Sequence, residues 1–138
     1  MRPLSRTLIL GSTILLSLGC GGAVLLSLDG TVVTGDWNGA NLSMTLDARG
    51  GTTEYDCAHG GLSAPVIVDA TGAFRVAGVH VREHGGPIRV DEVPDSLPAV
   101  YVGLWTGDAI IMRVAVGADT LGPFTLKRNA MPRLTKCL

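Results

Sequence analysis

The sequence predicts an all-β fold: a small antiparallel up-and-down β-barrel of about seven or eight strands, placed after an N-terminal signal or anchor segment. Three observations predict it. Short apolar runs alternate with polar residues at a period of two, and turn signals recur about every eight to twelve residues. No stretch after residue 30 carries a helical apolar stripe of useful length. Nineteen glycines in 138 residues supply tight turns.

The chain opens with Arg2 and Arg6, an apolar run over residues 7–18, and Gly19-Cys20. A basic start, about a dozen apolar residues and a small residue before the cut have the pattern of an export signal. Three fates remain open. Residues 1–19 are removed and Cys20 is acylated, the segment stays as an uncleaved anchor, or cleavage near Ala23 releases a soluble protein. No charge falls between residues 7 and 28, a run of about twenty residues that is long enough to span a bilayer. All three fates place the domain outside the cytoplasm. The expected organisation is signal 1–19, tether 20–30 and β domain 31–138.

Loss of Arg2 and Arg6 takes Lys+Arg from 11 to 9 against 12 Asp+Glu, a net charge of about −3. That balance excludes nucleic acid as an electrostatic partner. A monomer is expected. Three cysteines are an odd number for an exported chain. If Cys20 carries lipid, Cys57 and Cys137 remain as one pair, and their bridge pins the C-terminus to the early domain.

Each strand has its own signal. Residues 31–37 form the first, ended by Asn38-Gly39. Leu42, Met44 and Leu46 alternate with Ser43 and Thr45, and Gly50-Gly51 turns the chain into Thr53, Tyr55 and Cys57. Gly60-Gly61 and Gly85-Gly86 read as turn glycines. Residues 66–69 are a short apolar strand before an Asp69–Gly72 turn. Phe74 and Val76 share one face and Val79 and Val81 the other, which predicts a β-bulge at Ala77-Gly78. Residues 101–105 and 110–116 form a hairpin across Thr106-Gly107-Asp108, and residues 121–128 close the series. Residues 83–98, with Pro87, Pro94 and Pro98, read as one long loop, and 129–138 as an irregular tail. The barrel is expected to be lipocalin-like or sandwich-like in build.

The histidines are the only candidate reactive set. His80, Arg82 and His84 alternate onto one face, and His59 could join them if its strand is a neighbour. Three imidazoles would suit zinc or copper, although Arg82 between two ligands would repel a cation. The plainer expectation is that these side chains hydrogen-bond to loop carbonyls and to acids such as Asp56 and Glu83. There is no Gly-x-Ser-x-Gly elbow, no His-Glu-x-x-His and no Cys-x-x-Cys. No catalytic residue and no cofactor are predicted.

The segment Leu16-Ser17-Leu18-Gly19-Cys20 resembles a bacterial lipobox, with Gly19 and Cys20 in place and Leu18 where a small residue is usual. The runs Asp56-Cys57-Ala58-His59-Gly60, Arg82-Glu83-His84-Gly85-Gly86-Pro87 and Leu134-Thr135-Lys136-Cys137-Leu138 are similar to those of a group of small uncharacterised bacterial lipoproteins. The resemblance implies export to the cell envelope and a compact β domain, held at the outer membrane or the periplasmic face through an N-terminal lipid. It names no substrate. A looser architectural similarity links the chain to the β-barrel lipoproteins that inhibit lysozyme, whose Ser-Gly-x-x-Tyr loop is not found here. The reading is therefore a non-enzymatic envelope lipoprotein that binds a small ligand or an envelope protein, or is structural. The alternatives are a metal-binding envelope protein using its histidines and a small secreted hydrolase.

Overall fold

A computed structural model describes residues 30–137. The signal, Cys20 and all but the last residue of the tether lie outside them. Ten strands follow in order: β1 (Thr31–Val33), β2 (Gly35–Asn38), β3 (Leu42–Leu46), β4 (Gly51–Tyr55), β5 (Ala58–Leu62), β6 (Val66–Val68), β7 (Ala73–Arg82), β8 (Asp95–Trp105), β9 (Ala109–Val116) and β10 (Asp119–Arg128). Eight close into an antiparallel barrel in the order β10-β2-β3-β4-β5-β7-β8-β9. β1 and β6 pair beside it as a two-stranded ribbon. The fold is the all-β up-and-down barrel that the alternation predicts, with no helix among the described residues.

The alternation works as expected where inward residues are large and apolar. Leu42, Met44 and Leu46 of β3 point in, as do Ile110, Met112, Val114 and Val116 of β9. Trp37, Tyr101 and Leu126 join them, all fully buried, so the interior is filled with side chains. Each such side chain contributes about 1.5–3 kcal/mol by leaving water. Asp47 closes the β3–β4 hairpin, its Oδ1 accepting from the N–H groups of Arg49 at 2.7 Å and Gly50 at 2.9 Å. These two donors hold its carboxyl below the usual range.

Four expectations need correction. Residues 31–37 are two strands: β1 leaves for the ribbon and β2 begins at Gly35. Gly60-Gly61 lie inside β5, not in a turn. The long loop is 83–94, because Asp95, Ser96, Leu97 and Pro98 already pair with β7. Pro98 is tolerated one residue beyond the last β8–β9 pair, where a missing N–H costs little. Finally, β7 carries no bulge. It pairs with β8 in unbroken register from Ala73–Leu104 to Arg82–Asp95. Phe74, Val76, Gly78 and His80 all face inward, and Val79 is the outward residue at 44% exposure. A buried histidine and an exposed valine invert the usual polarity, which mimics a phase change. The register shift is instead in β10, between Leu121 and Phe124, where Pro123 cannot donate to the ladder.

Gly60 shows why glycine sits in a strand here. A Cβ there would lie 2.3 Å from the Val79 carbonyl oxygen and 2.9 Å from both the Thr53 and Tyr101 hydroxyls. Gly60→Ala is therefore expected to destabilise the barrel by about 1–3 kcal/mol through overpacking, read as a lower urea midpoint with an unchanged slope.

Candidate functional site

The barrel has two unlike ends. One carries the β3–β4 and β8–β9 turns and the 63–72 connection with the ribbon, and the chain enters there through β1. The opposite end gathers the β2–β3, β4–β5 and β9–β10 turns and the 83–94 loop. The predicted histidines, Arg82 and both described cysteines lie at this second end.

The structure does not bring the three histidines together. His80 sits inside the barrel, 5% exposed. It faces Gly60 across the β5–β7 pair and meets the Tyr55 ring edge to face, with centroids 4.8 Å apart. Its Nδ1 is buried without a hydrogen-bond partner. Burial first, then the charges of Arg82 and His59, push its pKa down, against an opposing pull from Asp95. His59 is on the outer face of β5, its Nδ1 2.7 Å from Glu83 Oε1. His84 lies beyond the end of β7 in the loop, bonded to Glu92 and to the Gly85 carbonyl. Arg82 does share the inward face with His80, but it stands at the rim, 3.7 Å from both Asp95 and Asp119. Among the described residues, no group of three or more His, Cys, Asp or Glu is arranged to hold a metal ion.

Beside His80, the Tyr55 hydroxyl is also buried without a partner. Burial, then the neighbouring Tyr101 hydroxyl, push its pKa well up. Tyr101 is satisfied: its hydroxyl donates to the Val79 carbonyl at 3.0 Å and lies 3.2 Å from Thr53 Oγ1. Such a cluster of neutral polar groups is poorly suited to holding charge.

Cys57 and Cys137 form a disulfide, with Cα atoms 5.1 Å apart and a sequence separation of 80. A network around it was not foreseen from the sequence. Asp56 accepts from Thr135 N at 2.8 Å and Asn41 Nδ2 at 2.5 Å, donors that hold its carboxyl below the usual range, Asn41 contributing most. Lys136 Nζ donates to Glu54 at 2.8 Å and Glu83 at 3.1 Å. Burial pulls the Lys136 pKa down, but the two carboxylates outweigh it and raise it. Glu83 is lowered in turn by His59 and then Lys136. The available signal was the charge beside each cysteine, Asp56 and Lys136.

The 83–94 loop carries three strongly exposed apolar side chains, Ile88 at 81%, Val90 at 109% and Val93 at 86%. Beneath it is a pocket of about 190 Å³, lined by Val81, Ile88, Val93 and Pro94 together with charged residues. A wider groove of about 880 Å³ opens on the surface between the C-terminal tail and the β10 bulge.

These features define a small closed β-barrel with a disulfide-tied tail and an apolar-tipped loop. Comparison with family models, curated proteins and solved structures gives no match.

Two outcomes follow. The double variant Cys57→Ser with Cys137→Ser is expected to lose about 2–5 kcal/mol of stability, measured by urea unfolding of oxidised protein. His80 is held neutral in the fold, so the unfolded chain takes up its proton first. The stability tied to this group is full above the ordinary pKa of 6.5 and falls as pH drops toward the lowered value. His80→Phe should remove that acid-side slope, and it should cost little at neutral pH because the unpaired Nδ1 leaves with it.

Proposed function

We propose that the chain is a non-enzymatic bacterial envelope lipoprotein, acylated at Cys20, whose barrel docks an envelope protein through the 83–94 loop. One observation carries the docking: Ile88, Val90 and Val93 are more than four-fifths exposed on a single loop. Large apolar side chains exposed together on one loop are a feature of interaction sites. The packed interior weighs against a ligand held on the barrel axis. The pocket under the loop, at about 190 Å³, is below the roughly 300–1,000 Å³ usual for small-molecule sites.

The orientation supports a protein partner over the anchoring membrane. The tether joins at the ribbon end and the loop is at the other. The nine residues between Cys20 and Gly30 reach at most about 36 Å when fully extended, and attachment at the ribbon end leaves the loop end free to face away from the bilayer. The acid excess of the mature chain disfavours an anionic lipid surface in the same way.

The test is crosslinking in intact cells from a photoreactive residue at position 90, followed by purification of the full-length protein. A discrete adduct is expected, and it should be lost when Ile88 and Val93 are both changed to Ser in a protein of unchanged melting temperature. An adduct that persists in that variant would reject docking through the loop. Acylation is read separately: the intact mass of the purified protein should show Cys20 as an acylated N-terminus, and Cys20→Ala should lose the acyl mass.

A further inference from the structure

We infer that His84 latches the 83–94 loop only as an imidazolium, so that docking through the loop is strong when His84 is charged and weak when it is neutral. The second half rests on the docking reading above; the latch itself does not.

Both ring nitrogens of His84 face acceptors. Nδ1 lies 3.0 Å from the Gly85 carbonyl oxygen, and Nε2 meets Glu92 Oε1. A carbonyl and a carboxylate can only accept, and a neutral imidazole has one N–H. Both contacts exist together only when the ring carries two protons. Glu92 passes the restraint on. Its other oxygen accepts from Arg89 N at 3.2 Å, and its own N–H donates to the Arg89 carbonyl at 3.1 Å. His84 at the root of the loop is thereby fixed to the 89–92 turn that presents Ile88 and Val90. Among the described residues, no other side-chain hydrogen bond joins the root of the loop to its 89–92 turn, and the Arg82–Asp95 ion pair closes only its base.

The surrounding charges leave Glu92 as the group that His84 answers to. Around the same pocket, Glu83 is matched by Lys136, with His59 also on it, and Arg82 is matched by Asp95. The Gly85 carbonyl first, then Glu92, raise the His84 pKa above its ordinary 6.5. His84 in return lowers Glu92 below the usual carboxylate range. The sign follows. The latch is present below the ordinary histidine value and is lost as pH rises through the raised one. On the acid side it survives until Glu92 takes a proton. Loss of the ring proton leaves only one of the two bonds, and the loop gains freedom that docking must then remove.

The test reads the latch without a partner. Full-length protein is digested with thermolysin, which cuts before exposed apolar residues such as Val90, at about pH 6 and about pH 8.5, on either side of the histidine range. Rates are normalised to an unstructured peptide. Cleavage in the loop should rise several-fold at the higher pH. His84→Gln should cut at the fast rate at both. Nitrogen NMR should show both His84 ring nitrogens protonated near pH 6. A flat cleavage profile in wild type, or a neutral His84 ring near pH 6, would overturn the latch. Crosslinking from position 90 at the same two pH values then decides the rest. Adduct yield that falls with pH in wild type and is low throughout in His84→Gln supports gating. A pH-independent yield with a switching cleavage rate rejects gating and keeps the latch. An adduct that survives the Ile88 and Val93 changes rejects the docking site itself.

Discussion

The barrel closes where β10 meets β2, and that seam has only two residue pairs, Arg128 with Trp37 and Lys127 with Asn38. β7 and β8 pair over ten, so closure is the weakest step in an otherwise continuous ladder. Side chains reinforce it. The Arg128 guanidinium lies over the Trp37 ring at 5.2 Å and donates to the Thr34 carbonyl at 2.8 Å. Asn38 Nδ2 reaches past the strand end to the Ala130 carbonyl at 2.8 Å. The tail continues the same job, bridging Ala40 at Arg133 and meeting Asp56 at Thr135 and Cys137. The disulfide is thus the last rivet of the seam. It fixes β10, through the tail, to the β4–β5 turn.

This explains why the tail is irregular yet ordered by bonds. It crosses from the end of β10 to the loop end of the barrel, where strand geometry cannot follow. Backbone donors are met one at a time by Asp56 and Gly39. Lys136 then draws Glu54 and Glu83 onto the bridge, and Glu83 brings His59. The root of the 83–94 loop is therefore tied to the same cluster that secures closure. His80 and His84, four residues apart, end in opposite states because one lost water without gaining a partner and the other gained two acceptors at the surface.

The alternating strands were legible because Leu42, Met44, Ile110 and Met112 are large, apolar and inward. Cysteine arithmetic likewise isolated Cys57 and Cys137. The sequence misled where inward positions hold something else. Gly78 and His80 occupy core positions, so period-two logic placed Val79 inside and invented a bulge. Gly60 and Gly61 read as a turn because close backbone approach and tight turning use the same residue. The candidate site was legible only in part. Residues on β5, β7 and the loop were picked out by type, but their facing depended on strand neighbours and on where β7 ends. The Lys136 cluster depended on a contact across some eighty residues, which spacing alone does not encode.

The β1–β6 ribbon is a separate sheet that carries Val32 and Ile67 exposed on one face and buries Val33, Val66 and Val68 in the core on the other. Three residue pairs, from Thr31–Val68 to Val33–Val66, hold it together, and its buried valines hold it to the barrel. Because the chain enters through β1, any pull on the entering segment loads these pairs before it reaches β2. Parting them also draws Val33, Val66 and Val68 out of the core, so a load on the entering segment is carried by the packing of the barrel itself.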